Sequence, residues 1–171
     1  MKATAQSHDR QADGRRIFGR AQQNARTDPY QSSVKPREPT ACPQCLAVYH
    51  HGRWQWEPTQ PGAREELCPA CRRINDRMPA GIVTLHGPLA PQLAKELSAL
   101  ARHQEEAERE EHPLNRIIAI EQNEDSVVIT TTDIHLPRRI AEAVRHSYHG
   151  QLDIDFDETG YFVRADWRPA R

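Results

Sequence analysis

Four cysteines in two short pairs, Cys42-Pro43-Gln44-Cys45 and Cys68-Pro69-Ala70-Cys71, constrain this chain more than any other feature. They are its only cysteines, and 22 residues (46 to 67) separate the pairs. Two thiolates two residues apart can face one Zn²⁺, and a second such pair completes a tetrahedral shell. The intervening stretch is slightly longer than usual, which a ribbon absorbs in its hairpin. Disulfides would suit a secreted chain, and a redox CxxC normally stands singly beside a βαβ pattern. The matched pairs in a polar stretch therefore predict a four-cysteine zinc site. A shell of four thiolates leaves no open position for water or substrate, so the expected metal shapes the fold rather than catalysing.

The stretch between the pairs supplies the ribbon. Val48-Tyr49-His50-His51-Gly52-Arg53-Trp54-Gln55-Trp56 reads as a strand, a Gly-marked turn and a second strand. Trp54 and Trp56 alternate with Arg53 and Gln55, which places both indoles on one face. Either they cover the metal turn or pack on the next domain, or one of them is open to stack on a base beside Arg53. Arg72, Arg73 and Arg77 follow the second pair on a predicted short helical turn. They are solvated surface or phosphate contacts; with Arg53 they make a basic face.

Around this module the chain divides into four. Residues 1–40 hold eight Lys/Arg against four Asp/Glu and almost no large aliphatics. Such a stretch cannot bury enough surface to offset the ordering entropy, so a disordered basic arm is expected. It is either a solubilising tail or an arm that folds onto RNA phosphates. Residues 41–82 are the zinc ribbon. Residues 83–112 are read as a connecting strand and helix, with Leu93, Leu97, Leu100 and Ala107 near one helical face and a charged second half extending through solvent. Residues 113–168 carry the clearest periodicity: two strands, a helix with Leu136, Ile140, Val144 and Tyr148 on one face, then two strands with alternating apolar residues. The order is ββαββ, a helix layered on a four-stranded sheet, and the fold class is α+β. Gly150 is expected to end the helix.

Chemistry in this last segment is sparse. Thr132 or Asp133 suits a helix cap, although free N–H groups there beside Arg138 and Arg139 would also hold a phosphate. Arg138, Arg139 and Arg145 make the outer helix face arginine-rich, a second candidate RNA contact. Asp153, Asp155 and Asp157 line one sheet face and repel a phosphate backbone, with Arg164 and Arg168 placed to neutralise them across the hairpin. No Gly-rich phosphate loop, Ser/His/Asp arrangement or spare cysteine appears, so an enzyme is not expected. The 23 basic and 24 acidic side chains make net charge silent about a partner. There is no membrane-length apolar run and no hydrophobic signal region at the start, and free cysteines fit a reducing cytosol; a cytoplasmic protein is expected.

The segments Cys42–Cys45, His51–Trp54, Cys68–Arg73 and Thr130–Ile140 (TTTDIHLPRRI), in that order, resemble a bacterial zinc-ribbon family without assigned function. The resemblance spans roughly residues 28–168. That family is in turn similar to the zinc-binding N-terminal part of the archaeal and eukaryotic large-ribosomal-subunit export adaptor. The resemblance implies association with the ribosome or other structured RNA. In the leading reading, motivated by the arginine clusters of both modules and by this resemblance, Cys42, Cys45, Cys68 and Cys71 hold Zn²⁺, and Arg53, Arg72, Arg73 and Arg77 meet phosphates. Trp54 or Trp56 stacks on a base, and Arg138, Arg139 and Arg145 add a second contact. The alternative is a zinc-ribbon protein–protein adaptor, favoured by near-zero net charge and the acidic stretch Glu105–Glu111.

Overall fold

The computed structural model describes residues 28–31, 34–87 and 89–170. The arm expected over residues 1–40 lies outside the described residues as far as residue 27. What is described forms two sheets and three helices, an α+β protein.

The smaller sheet belongs to the cysteine module. Strands β1 (Thr40–Ala41), β2 (Val48–His50), β3 (Arg53–Gln55) and β4 (Arg64–Glu65) lie in the order β3-β2-β1-β4. The hairpin β2–β3 turns at His51 and Gly52, both with positive φ (51° and 77°), as a tight two-residue turn between right-twisted strands requires. Glu38 ties down the turn by accepting from the backbone N–H groups of His51 and Gly52. Helix α1 (Pro69–Asp76) follows and ends at Arg77, which takes the left-handed conformation at the cap.

The segment ending the assumed arm is ordered against α1. Arg73 pairs with Asp28 at 2.5 Å and stacks on the Tyr30 ring at 4.3 Å, while Tyr30 Oη donates to Asp76. These contacts are ionic and aromatic, which is why a reading based on aliphatic content extended the arm to residue 40.

The larger sheet has five strands rather than the four of a ββαββ unit. Its order is β6-β7-β5-β9-β8, from β5 (Gly81–His86), β6 (Ile117–Gln122), β7 (Ser126–Thr131), β8 (Gly150–Phe156) and β9 (Val163–Pro169). The strand assigned to a connection, β5, is its centre: antiparallel to β7 over its whole length and parallel to β9. Its alternation, with Gly81, Val83 and Leu85 buried, is that of a central strand with one face on the core. Helix α2 (Pro91–Glu111) packs with α3 (Leu136–Ser147) over that face. Leu97, Leu136, Ile140, Val144, Val83, Leu85, Val127, Ile129 and Trp167 are fully buried there. The apolar stripe of α3 is the one its spacing predicts. In α2 the buried stripe is Ala94, Leu97 and Ala101, with Ala107 exposed.

The charged half of α2 is largely exposed, but two of its carboxylates pack inward. Glu105 accepts from the N–H of Ile117, and buried Glu108 pairs with Arg139 and accepts from Asn115. Gly150 opens β8 instead of capping α3. A Cβ there would sit 2.4 Å from Trp167 Nε1 and from the Arg168 carbonyl, so close packing explains this glycine. Among the described residues no helix is long and apolar enough to cross a membrane.

Candidate metal centre and the adjoining cleft

Two local structures bring the cysteines together. At the first pair the chain folds back on itself: Cys42 N–H donates to Ala47 O, Leu46 N–H donates to Cys42 O, and Leu46 takes φ 67°. This tight knuckle aims both thiols to one side. At the second pair Cys68 is the N-cap of α1 with Pro69 in its first turn, and Cys68 Sγ accepts from the N–H of Cys71 at 3.4 Å. The sulfur thus fills the place of a capping oxygen, and the positive end of the helix faces the thiols.

All four Sγ atoms lie within 4.8 Å of one another. A tetrahedron with metal–sulfur bonds of about 2.3 Å has edges of about 3.8 Å, and Cys45 and Cys68 already stand 3.7 Å apart. The donor set fits one thiophilic dication. Cys42, Cys68 and Cys71 are buried, Cys45 is half-buried, and Trp54, Leu67 and Leu114 pack around the cluster.

A fifth side chain belongs to the centre. Arg116, buried at the entrance to β6, directs Nη2 at Cys71 Sγ (3.0 Å) and Cys68 Sγ (3.7 Å). Burial works against its charge, but the hydrogen bond and proximity of Cys71 outweigh it and raise its pKa. Without a cation, the contact with Cys68 pulls the Cys45 thiol down to about 4, while the same contact and burial push Cys68 up. Burial raises Cys71 despite Arg116. A bound dication overrides this division and deprotonates its thiols outright. Sequence reasoning missed Arg116, which sits 45 residues from Cys71 and outside any motif.

The expected RNA contacts divide into groups. Arg53 is exposed; Arg72 is half-buried and donates to Tyr30 O. Together with Lys35, both line a cleft of about 370 Å³ beside the cluster. Its walls include Trp54 and Tyr49, whose rings meet edge to face at 5.6 Å, and the far side is His112 to Asn115. Trp56 turns away: its Nε1 donates to Arg109 O at 2.6 Å, with the Arg109 guanidinium 5.4 Å from its ring, so it clasps the hairpin to α2.

Arg73 does not join the basic face. It is 4% exposed and spent on Asp28, Tyr30 and Met78 O, since its position on α1 points it inward. Arg77 is exposed at the helix cap. On α3, Arg138 pairs with Glu142 and Arg139 with Glu108, while Arg145 is exposed; none of the three lines the cleft. On the large sheet, Arg168 pairs with Asp153 at 3.6 Å and Arg164 stands opposite Asp155, as the alternation suggested. Asp133 caps α3, accepting from the N–H groups of His135 and Leu136, and Thr132 instead bridges Leu114 and Arg116.

Comparison of the chain with protein-family models, curated proteins and solved structures finds no match.

Proposed function

We propose that Cys42, Cys45, Cys68 and Cys71 hold a structural Zn²⁺, and that this zinc builds an RNA-binding surface in a protein without catalytic activity. Four thiolates saturate zinc, which leaves it nothing to offer a substrate. The observation that carries the reading is the cleft against the cluster, where Lys35, Arg53 and Arg72 surround the Tyr49–Trp54 pair. Cations that track a phosphate backbone beside an aromatic face are what an unpaired nucleotide needs. Ribosomal or other structured RNA is the expected target, in keeping with the resemblance of the CPxC segments. The cleft arginines support it; the arginines of α3 are committed to carboxylates at two of three positions.

Co-sedimentation with ribosomes and RNA-binding titrations across a salt series test this reading. With about three phosphates neutralised on a single strand, log K should fall with log salt at a slope near −2. Arg53→Glu with Arg72→Glu should abolish binding. Absence of association even at low salt would sink the idea. Capture of a protein partner that survives the double exchange would point to an adaptor working through another surface, such as the acidic face of α2.

A further inference from the structure

One wall of the basic cleft is held from outside it. Gln31, Lys35 and Pro36 line that wall and stand between two anchors in the chain. After them, Glu38 accepts from the N–H groups of His51 and Gly52, Pro39 O accepts from the N–H of Arg64, and Thr40 enters β1. Before them, the hold is a turn fastened to α1 by side chains. Asp28 closes the turn, its Oδ1 accepting from the N–H of Tyr30 and its carbonyl from the N–H of Gln31. The same Oδ1 meets the Arg73 guanidinium, which lies over the Tyr30 ring, and Tyr30 Oη donates to Asp76. The turn also reaches the cleft directly: Tyr30 O accepts from Nη2 of Arg72 at 3.3 Å.

The Arg73–Asp28 pair is the dry centre of this anchor, with side chains 5% and 12% exposed. A guanidinium at that depth is tolerated only with its partner. Removing Asp28 therefore favours release of the turn, which lets water reach Arg73. Resting on the RNA reading above, we infer that Asp28 and Arg73 are positioning residues for the cleft: they touch no nucleotide, and by fastening the turn on α1 they hold Lys35 and Arg72 where the phosphates pass. A wall fixed at both ends loses little entropy when RNA arrives, whereas one fixed at a single end must be ordered at that moment. Arg73, which does not reach the basic face, thus acts on the same site through the chain beside it.

Titration of the full zinc-loaded chain with oligouridylate across a salt series provides the test. Asp28→Ala should weaken binding about tenfold at low salt, the yield of one charge-assisted contact. Its log–log salt slope should shrink from near −2 to about −1.4, one phosphate fewer, a change that loss of stability alone does not produce. Tyr30→Ala, which removes the other half of the anchor, should shift the slope the same way and serves as the readout if Asp28→Ala loses its zinc. In a chain already carrying Lys35→Gln and Arg72→Gln, Asp28→Ala should cost no further affinity, because positioning acts through those two side chains. Wild-type affinity and slope in the anchor variants, or a further loss in the doubly substituted chain, would overturn the inference and leave the RNA reading standing. No binding by the wild type even at low salt would remove both.

Discussion

Arg116 Nη2 stands 3.0 Å from Cys71 Sγ, joining a thiol of the cysteine module to the residue that leads into β6 of the large sheet. Four thiolates around a dication carry a net charge of −2, and a buried guanidinium against two of the sulfurs offsets part of it. The contact is therefore a tie between the modules, and an electrostatic complement to any dication that the four thiolates hold. Arg116→Gln should lower zinc affinity by about 10- to 100-fold, the usual effect of removing a partner that orients and balances ligands. Competition with a chromogenic chelator reads this directly. Unchanged affinity would show that the guanidinium serves only the packing between modules.

Metal removal should separate the two sheets in stability. The cysteine module has strands of two or three residues and a small buried cluster, whereas the large sheet has its own core. A chelator at neutral pH should release one zinc per chain and melt the module, seen as exposure of Trp54, while the helices over the large sheet persist. Cys68→Ala and Cys45→Ala each remove one thiol, but with zinc present Cys68→Ala should cost about 1 kcal/mol more, because Cys68 also caps α1. Thermal melts of the two variants at saturating zinc check the difference. Complete unfolding on chelation would instead make the module part of one cooperative unit with the sheet.

The two neighbouring indoles should behave differently. Trp54 lines the cleft and Trp56 grips α2 through the Arg109 carbonyl and guanidinium. Trp54→Ala should weaken RNA binding by about 1–3 kcal/mol, the range of one lost base stack. Trp56→Ala should leave RNA affinity largely intact and lower stability by about 1–2 kcal/mol, a hydrogen bond and a cation–π contact together. Urea denaturation and RNA titration of both variants form the check. The opposite pattern would place the base on Trp56.

How much of this was legible in the sequence follows the range of each interaction. The gathering of the four cysteines could be read because the constraint is local: two residues within a pair, and a shell that two pairs complete. The α3 stripe and the alternation of β8 and β9 were legible for the same reason, as periodicity is a local signal. The centre of the sheet was not, since β5 reaches β7 and β9 across 40 or more residues and nothing in GIVTLH announces a partner. Trp54 and Trp56 illustrate the limit. Alternation put them on one face, but only tertiary contacts assign one to the cluster and cleft and the other to α2. Arg72 and Arg73 are likewise adjacent in sequence and opposite in role, because one helical step of about 100° turns one toward the cleft and the other into the interior.

Asp133 gives the chain a pH dependence of its own. Burial pushes its carboxyl up to about 6 despite two backbone donors, against an ordinary value of about 3.9. Between those values the folded chain keeps a proton that the unfolded chain releases, so this group makes stability fall as pH rises through about 4 to 6. Above that window the loss levels off at roughly 2–3 kcal/mol. Asp133→Asn carries no charge to bury and retains the cap. It should be more stable than wild type by about 1–2 kcal/mol at neutral pH, after allowance for an amide donor left without a partner. The advantage should shrink toward pH 4, where the wild-type carboxyl is protonated. Denaturation of both proteins over that range isolates the effect, because the acid sensitivity of the thiolate centre is common to the two and cancels. A constant difference across the range would mean that Asp133 titrates as an ordinary surface carboxylate.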